Sequence, residues 1–276
     1  LSIPVGSYAV NKSLLDLVFR SGKRMNILLF LKEEPRSMED IRELLSLTAV
    51  SILPQIKKLK EGKLIVQRIW PEERACKYEL TPFGQVIVEN MEALLDTLET
   101  LENNFDYWAL RNLEGIPPFL RERIGELKCS KLMKPDLNHM FELNPEFVEK
   151  LLQSKHVMGC ASYFHPSFID LYLNLANKGA DISFMLTAPV FERFKADFRE
   201  EIRSLLEFEN VRIFHFPEES GIAGLTVTDR FFLLALFPES EFFDNECLIC
   251  SEPEAMEWGK ELFFYLQKQA SEVREI

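Results

Sequence analysis

At 276 residues, 47% hydrophobic and 28% charged, the chain has a globular balance that accommodates one large domain or two ordinary ones. It holds no run of eighteen apolar residues and no signal-peptide pattern, which argues against membrane insertion or export and makes a cytoplasmic protein the expectation. The formal charge of -12 looks hostile to nucleic acid, yet residues 1 to 82 carry 14 Lys and Arg against 10 Asp and Glu, while the remainder carry 18 against 34. A basic head on an acidic body suits a protein whose head touches phosphate and whose body does not.

In chain order, residues 12 to 20 and 23 to 32 are helical by their Leu, Ile, Val and Phe spacing, with Ser21 and Gly22 between them. Residues 37 to 65 then read as two short amphipathic helices joined by a tight turn. Met38, Ile41, Leu44 and Leu45 recur at helical spacing in the first, and Ser37 with Asp40 forms a capping-box-like start. In the second, Ile52, Ile56 and Leu59 share one face, leaving Thr48, Val50, Ser51, Gln55 and Lys58 to reach base edges and phosphates from a major groove. Pro54 would break a helix interior at about 3 kcal/mol, so a start near Ser51, which puts Pro54 in the first turn, or an irregular first turn is expected. The face has no Arg, so base discrimination is expected to be modest or to rest on DNA shape.

Leu64 to Trp70 and Cys76 to Thr81 read as strands of a hairpin, the wing, turned at Pro71 to Ala75. Arg68, Arg74 and Lys77, with Lys57 on the helix, are candidate phosphate contacts, although Glu72 and Glu73 dilute the tip. From Pro82 to about Leu113, apolar residues from Phe83 to Trp108 recur at three and four, which predicts one long helix. A stripe this long outlasts what a small winged domain covers, so it reads as a dimerisation helix; packing on its own second domain is the alternative. Gly115, Pro117 and Pro118 mark the next boundary.

Helices are then expected over 119 to 128, 144 to 153, 166 to 177, 189 to 208 and 253 to 272. Strands are expected over 156 to 162, 181 to 186, 211 to 216, 224 to 228, 231 to 237 and 247 to 250. This alternation predicts a mostly parallel or mixed sheet with helices on its faces, binding ligands outside the carboxyl ends of its strands. The fold class is thus α+β: a winged helix-turn-helix domain over 1–82, a long linking or dimerisation helix over 83–114, and an α/β effector-sensing sheet domain with flanking helices over 115–276.

Candidate ligand-binding residues are His165, between a strand end and a helix start where free N–H groups favour an anion, and Thr187, after the next strand. Asp229 and Arg230 read as a turn rather than as ligands. Cys247 and Cys250 have C-x-x-C spacing, but residues three apart in a strand face opposite ways and no second cysteine pair completes a metal site. With Cys76, Cys129 and Cys160 they make an odd, scattered set of five, not a disulfide framework. No metal, cofactor or catalytic residue is expected.

The first 110 or so residues resemble winged helix-turn-helix regulators of archaea and bacteria through Leu45, Leu47, Thr48, Ser51, Ile52, Ile56, Lys57, Lys58, Leu59, Leu64 and Ile65, and through Tyr78-Glu79-Leu80-Thr81-Pro82-Phe83-Gly84. The second half resembles the middle domain of the methanogenesis (filamentation) regulators of methanogenic archaea at Leu225 to Asp229, at Phe243-Asp244, and at Ala255 to Phe263. The resemblance implies a transcriptional regulator with a phospholipase D-like effector domain, similar to the sugar-responsive regulators of archaea. It does not imply a hydrolase. Phospholipase D chemistry uses His-x-Lys, and His139, His156, His165 and His215 have Phe141, Met158, Ser167 and Pro217 at that offset. The expected partners are double-stranded DNA, a second copy of the chain and a small-molecule effector, with no membrane. The rivals are a protein-interaction adaptor and an enzyme in the C-terminal domain.

Overall fold

The computed structural model describes residues 12–70, 75–135, 142–217, 220–239 and 244–276. The expected hairpin tip with Glu72, Glu73 and Arg74, and also His139 and Phe243, lie outside the described residues. The chain divides into two compact units, one ending at Leu95 and one beginning at Asp96.

The first unit contains α1 (Lys12–Phe19), α2 (Gly22–Glu33), β1 (Arg36–Ser37), α3 (Met38–Leu45), α4 (Ala49–Glu61), β2 (Ile65–Trp70), β3 (Ala75–Leu80) and the start of α5 (Pro82–Asn103). The expected cap of α3 is present in full. Asp40 N–H donates to Ser37 Oγ at 3.1 Å and Ser37 N–H to Asp40 Oδ2 at 2.8 Å. Hydrogen bonds from the Ser37 backbone N–H and side chain hold the Asp40 carboxyl below its ordinary value. Ile27, Leu28, Ile41, Ile52, Leu59 and Leu64 form the centre of the core. β2 and β3 form an antiparallel hairpin, with the two-residue β1 beside β3.

The Tyr78 to Gly84 segment is a joint between hairpin and helix. Thr81 Oγ1 donates to the Lys63 carbonyl at 2.7 Å and accepts the Gly84 N–H at 2.9 Å. A Cβ on Gly84 would come within 2.0 Å of the Leu64 carbonyl oxygen, so this close approach requires glycine.

The expected helix from 82 to 113 stops at Asn103, and after a break at Asn104 a short α6 (Phe105–Ala109) follows. Tyr107 and Trp108 are buried in the core of the second unit, which redirects the chain and ends the regular stripe. Within the first unit, Val88 and Met91 of α5 face inward while Phe83, Val86 and Leu94 are exposed.

The second unit continues with α7 (Pro118–Arg121), a 3-10 turn (Ile124–Leu127), β4 (Lys131–Met133), α8 (Pro145–Leu152), β5 (His156–Ala161), α9 (Ser167–Asn177) and β6 (Asp181–Thr187). Then come α10 (Ala188–Asp197), α11 (Arg199–Leu206), β7 (Val211–Phe216), β8 (Gly224–Thr228), β9 (Phe232–Ala235), β10 (Cys247–Cys250), α12 (Pro253–Gln267) and β11 (Ser271–Val273). The helix expected over 189–208 is two helices meeting at Phe198, whose φ of -139° breaks the run. The one expected over 119–128 is a four-residue turn of α-helix and a 3-10 turn. β4 and β11, too short to carry a periodic signal, were not anticipated by the sequence pattern.

The sheet has the order β11-β7-β6-β5-β8-β9-β10-β4. β5, β6 and β7 pair in parallel, and the flanking strands pair antiparallel. Alternation divides the strands between two cores. Ile182, Phe184 and Leu186 of β6 pack with α8 to α11, while Met185 joins Leu225, Val227 and Trp258 on the face covered by α12. Trp258 is fully buried and its indole N–H donates to the Leu120 carbonyl at 3.0 Å. Neighbouring Gly259 lets α12 settle on β9, since a Cβ there would lie 2.4 Å from the Phe232 ring. The Ala255 to Phe263 segment is therefore a packing motif. Asp244 has a similar part: it and Glu246 hold the buried Arg111 at 2.7 and 2.8 Å, beneath which lies the Tyr107 ring.

Candidate nucleic-acid interface and ligand cavity

α4 begins at Ala49, not near Ser51, so Pro54 sits in its second turn. Thr48 is the N-cap residue: its carbonyl accepts the Ser51 and Ile52 N–H groups at 3.0 and 3.3 Å, and Ser51 Oγ donates to the same oxygen at 2.9 Å. Pro54 has no N–H to return to the Val50 carbonyl, and its ring is on the exposed side of the helix. The expectation of an unpenalised proline is thus corrected. Helical geometry, counted from the buried Ile52, Ile56 and Leu59, puts Val50, Pro54, Lys57 and Glu61 directly outward and Ser51 and Lys58 on one shoulder.

Gln55 is turned the other way. Its Oε1 accepts a hydrogen bond from Arg24 Nη1 at 2.9 Å, and Arg24 is buried, donating also to the carbonyls of Leu17 and Asp16. Gln55 therefore ties α4 to α1 and α2, and its acceptor is committed inside the unit. A buried arginine in an apolar helix was the missed signal. Lys57 is 78% exposed and near Glu61 at 3.9 Å; Val50 is 80% exposed.

On the hairpin, Arg68 and Lys77 are direct cross-strand partners. Arg68 is bonded to Glu79 at 2.6 Å, and Lys77 Nζ lies 5.6 Å from the centre of the Trp70 ring. Both cations are therefore partly engaged on the hairpin itself. Ile69, beside them on the same hairpin, is exposed as well.

In the second unit, the parallel register places Ala161 opposite Leu186, so the β5 and β6 carboxyl ends are adjacent as expected. A cavity of about 720 Å³ opens there, lined by the segment before α8, by α8 and α9, and by β5, β6, β8, β9 and β10. His165 is on its wall; Thr187 is buried at the start of α10 and is not among the described lining residues. The N–H of Ser167, one of the groups expected to favour an anion, already donates to His165 Nδ1 at 3.2 Å, and the imidazole rests against Phe168.

Burial pushes the Cys160 and Cys247 thiols and the Tyr163 phenol up to about 12, and raises the Tyr172 phenol further. Cys247 lines the cavity while Cys250 belongs to the core under α12, so the C-x-x-C cysteines face opposite ways. Asp229 accepts the N–H groups of Lys155 and His156 at 2.8 and 3.2 Å, and Arg230 donates to the Gln153 carbonyl at 3.0 Å. This pair fastens the β8–β9 turn. Among the described residues no group of three His, Cys, Asp or Glu is placed to hold a metal ion, and no helix is long and apolar enough to cross a membrane.

Two parts of the chain match domains of one regulator. Residues 12–99 match the family profile described as "Methanogenesis regulatory protein FilR1, N-terminal domain" and residues 140–269 match "Methanogenesis regulatory protein FilR1, middle domain". A curated relative, the methanogenesis regulatory protein FilR1 of Methanothrix harundinacea (strain 6Ac), is 26% identical over 264 residues, which is 94% of this chain and 58% of the relative. The chain thus spans little more than half the length of that relative. Among solved structures, TrmBL2, an archaeal chromatin protein, matches with a TM-score of 0.42 at 13% identity, over 95% of this chain and 98% of its own. The adhesin competence repressor of Streptococcus pyogenes matches with a TM-score of 0.29 at 19% identity, over 35% of this chain and 75% of its own. These structural likenesses are too loose to bear on the site.

Proposed function

We propose that the chain is a transcriptional regulator. Its first unit grips duplex DNA with α4 and the hairpin, and its second unit, a phospholipase D-like domain without hydrolase chemistry, takes a small-molecule effector. The match of both units to domains of a regulatory protein supports the class. The observation that carries the DNA reading is the outward face of α4, where Lys57 and Lys58 are exposed beside Val50 and Thr48, on a unit whose charge balance is basic. Thr48, Val50 and Ser51 are the base-edge candidates; Lys57, Lys58, Arg68, Arg74 and Lys77 are the phosphate candidates. Gln55 is then a support for α4 rather than a reader.

Phe83, Val86 and Leu94, exposed on α5, support a homodimer through that helix, which would fix the spacing of two heads. A ligand that prefers one spacing shifts the population between two geometries. The cavity's described lining holds Glu142 as its single carboxylate, which supports a binding site over acid-base catalysis by paired carboxylates. Val50, Leu53 and Ile69, all exposed, favour the rival reading in which the winged unit meets another protein.

Salt dependence separates the two. Full-length protein titrated onto labelled promoter fragments from its own genome should bind with an affinity that falls steeply as salt rises, because phosphate contacts release counterions. Absent or salt-insensitive binding would rule out the DNA reading.

A further inference from the structure

We infer that the cavity takes an uncharged, largely apolar small molecule and not a carbohydrate; the consequence for DNA rests on the effector reading above, whereas the ligand class rests on the cavity alone. Its volume of about 720 Å³ falls within the range of roughly 300–1,000 Å³ usual for small-molecule sites. The cavity exists because the two halves of the sheet are covered unequally. On this face α9, α10 and α11 pack on β6 and β7, whereas α8 packs against α9 and leaves β8 and β9 partly uncovered. The strands contribute Thr226, Leu233 and Phe184, and the helices opposite contribute Phe147, Phe168 and Tyr172.

A carbohydrate needs hydrogen-bond partners around its whole rim, and each one left unmade costs about 1–3 kcal/mol. The described lining meets such a rim only in part. Several of its polar groups are already committed: Asn144 Oδ1 accepts the Glu146 and Phe147 N–H groups at 2.9 and 3.3 Å, and His165 Nδ1 accepts from Ser167. The Cys247 thiol and the Tyr163 phenol stay uncharged at pH 7, since burial pushes each up to about 12. Lys134 and Glu142 are exposed, and Lys134 is paired with Glu246 at 3.1 Å. The described lining therefore offers mainly apolar area with a few neutral polar groups, which suits an aromatic or acyl body.

The test uses the full chain and Nile red, an uncharged polarity-sensitive dye, with maltose and 1-decanol as competitors. One dye should bind per chain with a blue-shifted emission, decanol should displace it, and maltose should not. Ala235→Leu on β9 and Met133→Trp on the half-buried β4 both narrow the cavity, and each should weaken dye binding at least tenfold; the edge position of Met133 keeps the test usable if Ala235→Leu misfolds. Thr226→Val, which removes a hydroxyl at nearly constant shape, should leave dye affinity within about twofold. Displacement or thermal stabilisation by maltose, or dye binding unchanged in both narrowed variants, would overturn the inference. Dye seated in the cavity with DNA affinity unchanged would support the ligand class while ending the effector reading.

Discussion

The two units solve opposite problems with the same alphabet. The first makes its proposed contact surface from one helix face and one hairpin, so the side chains of that surface are close in sequence and point outward. The second makes an inward-facing cavity from strands and loops more than 100 residues apart, between Met133 and Cys247. Local chemistry is thus concentrated in the first unit and long-range chemistry in the second. A substitution in the first is expected to alter a cap, a turn or a contact; one in the second alters packing on both faces of the sheet.

The strongest way to break this comparison is Trp258→Ala. It empties a fully buried site and removes the indole bond to the Leu120 carbonyl, which keeps only the Arg123 N–H, and should destabilise the second unit by about 3–5 kcal/mol in urea unfolding followed by near-UV dichroism. A loss below 1 kcal/mol would mean that α12 is not the keystone of its face. In the first unit, Pro54→Ala restores a backbone donor to the Val50 carbonyl and should stabilise by about 2 kcal/mol, the helix gain of about 3 less the smaller entropy advantage of proline in the unfolded chain. Thermal melts of the variant check the sign; destabilisation would mean that the proline's shape is required.

On the proposed DNA reading, Lys57→Ala with Lys58→Ala should weaken duplex binding about tenfold and lower the slope of log affinity against log salt by about two. Fluorescence anisotropy at several salt concentrations reads both, and an unchanged slope would remove these lysines from the interface. The smallest effect is at the cap of α3. Ser37→Ala should cost about 1 kcal/mol at neutral pH. Because Asp40 is held below its ordinary value of 3.8 by its bonds to Ser37, its contribution is present above that value and lost as pH falls through the lower folded value. The difference between the native chain and Ser37→Ala should therefore shrink in acid, as paired chemical melts would show.

Much of the first unit was legible because its signals are local. Ser37 and Asp40 are three residues apart, and a cap needs nothing else; Ile52, Ile56 and Leu59 mark one face by spacing alone. Gln55 was misread because spacing places it between faces, and the distant Arg24 determines which way it turns. The start of α4 was misplaced because a proline preference at the first turn was weighed against a helix that tertiary packing holds regardless. In the second unit, His165 stands out by its place after a strand and lies on the cavity wall, but no sequence signal marks the aromatic walls around it. Phe147, Phe168 and Phe184 look the same in sequence whether they fill space or border it.

The sequence by itself determined the charge division, the order of most elements, the α3 cap and the two-faced strands, since periodicity and short-range hydrogen bonding need only neighbouring residues. Tertiary structure alone decided that α5 ends where Tyr107 and Trp108 enter a core, that Gln55 faces inward, and that the sheet's two halves are covered unequally. Those outcomes depend on which surfaces meet, and the meeting surfaces come from residues far apart in the chain.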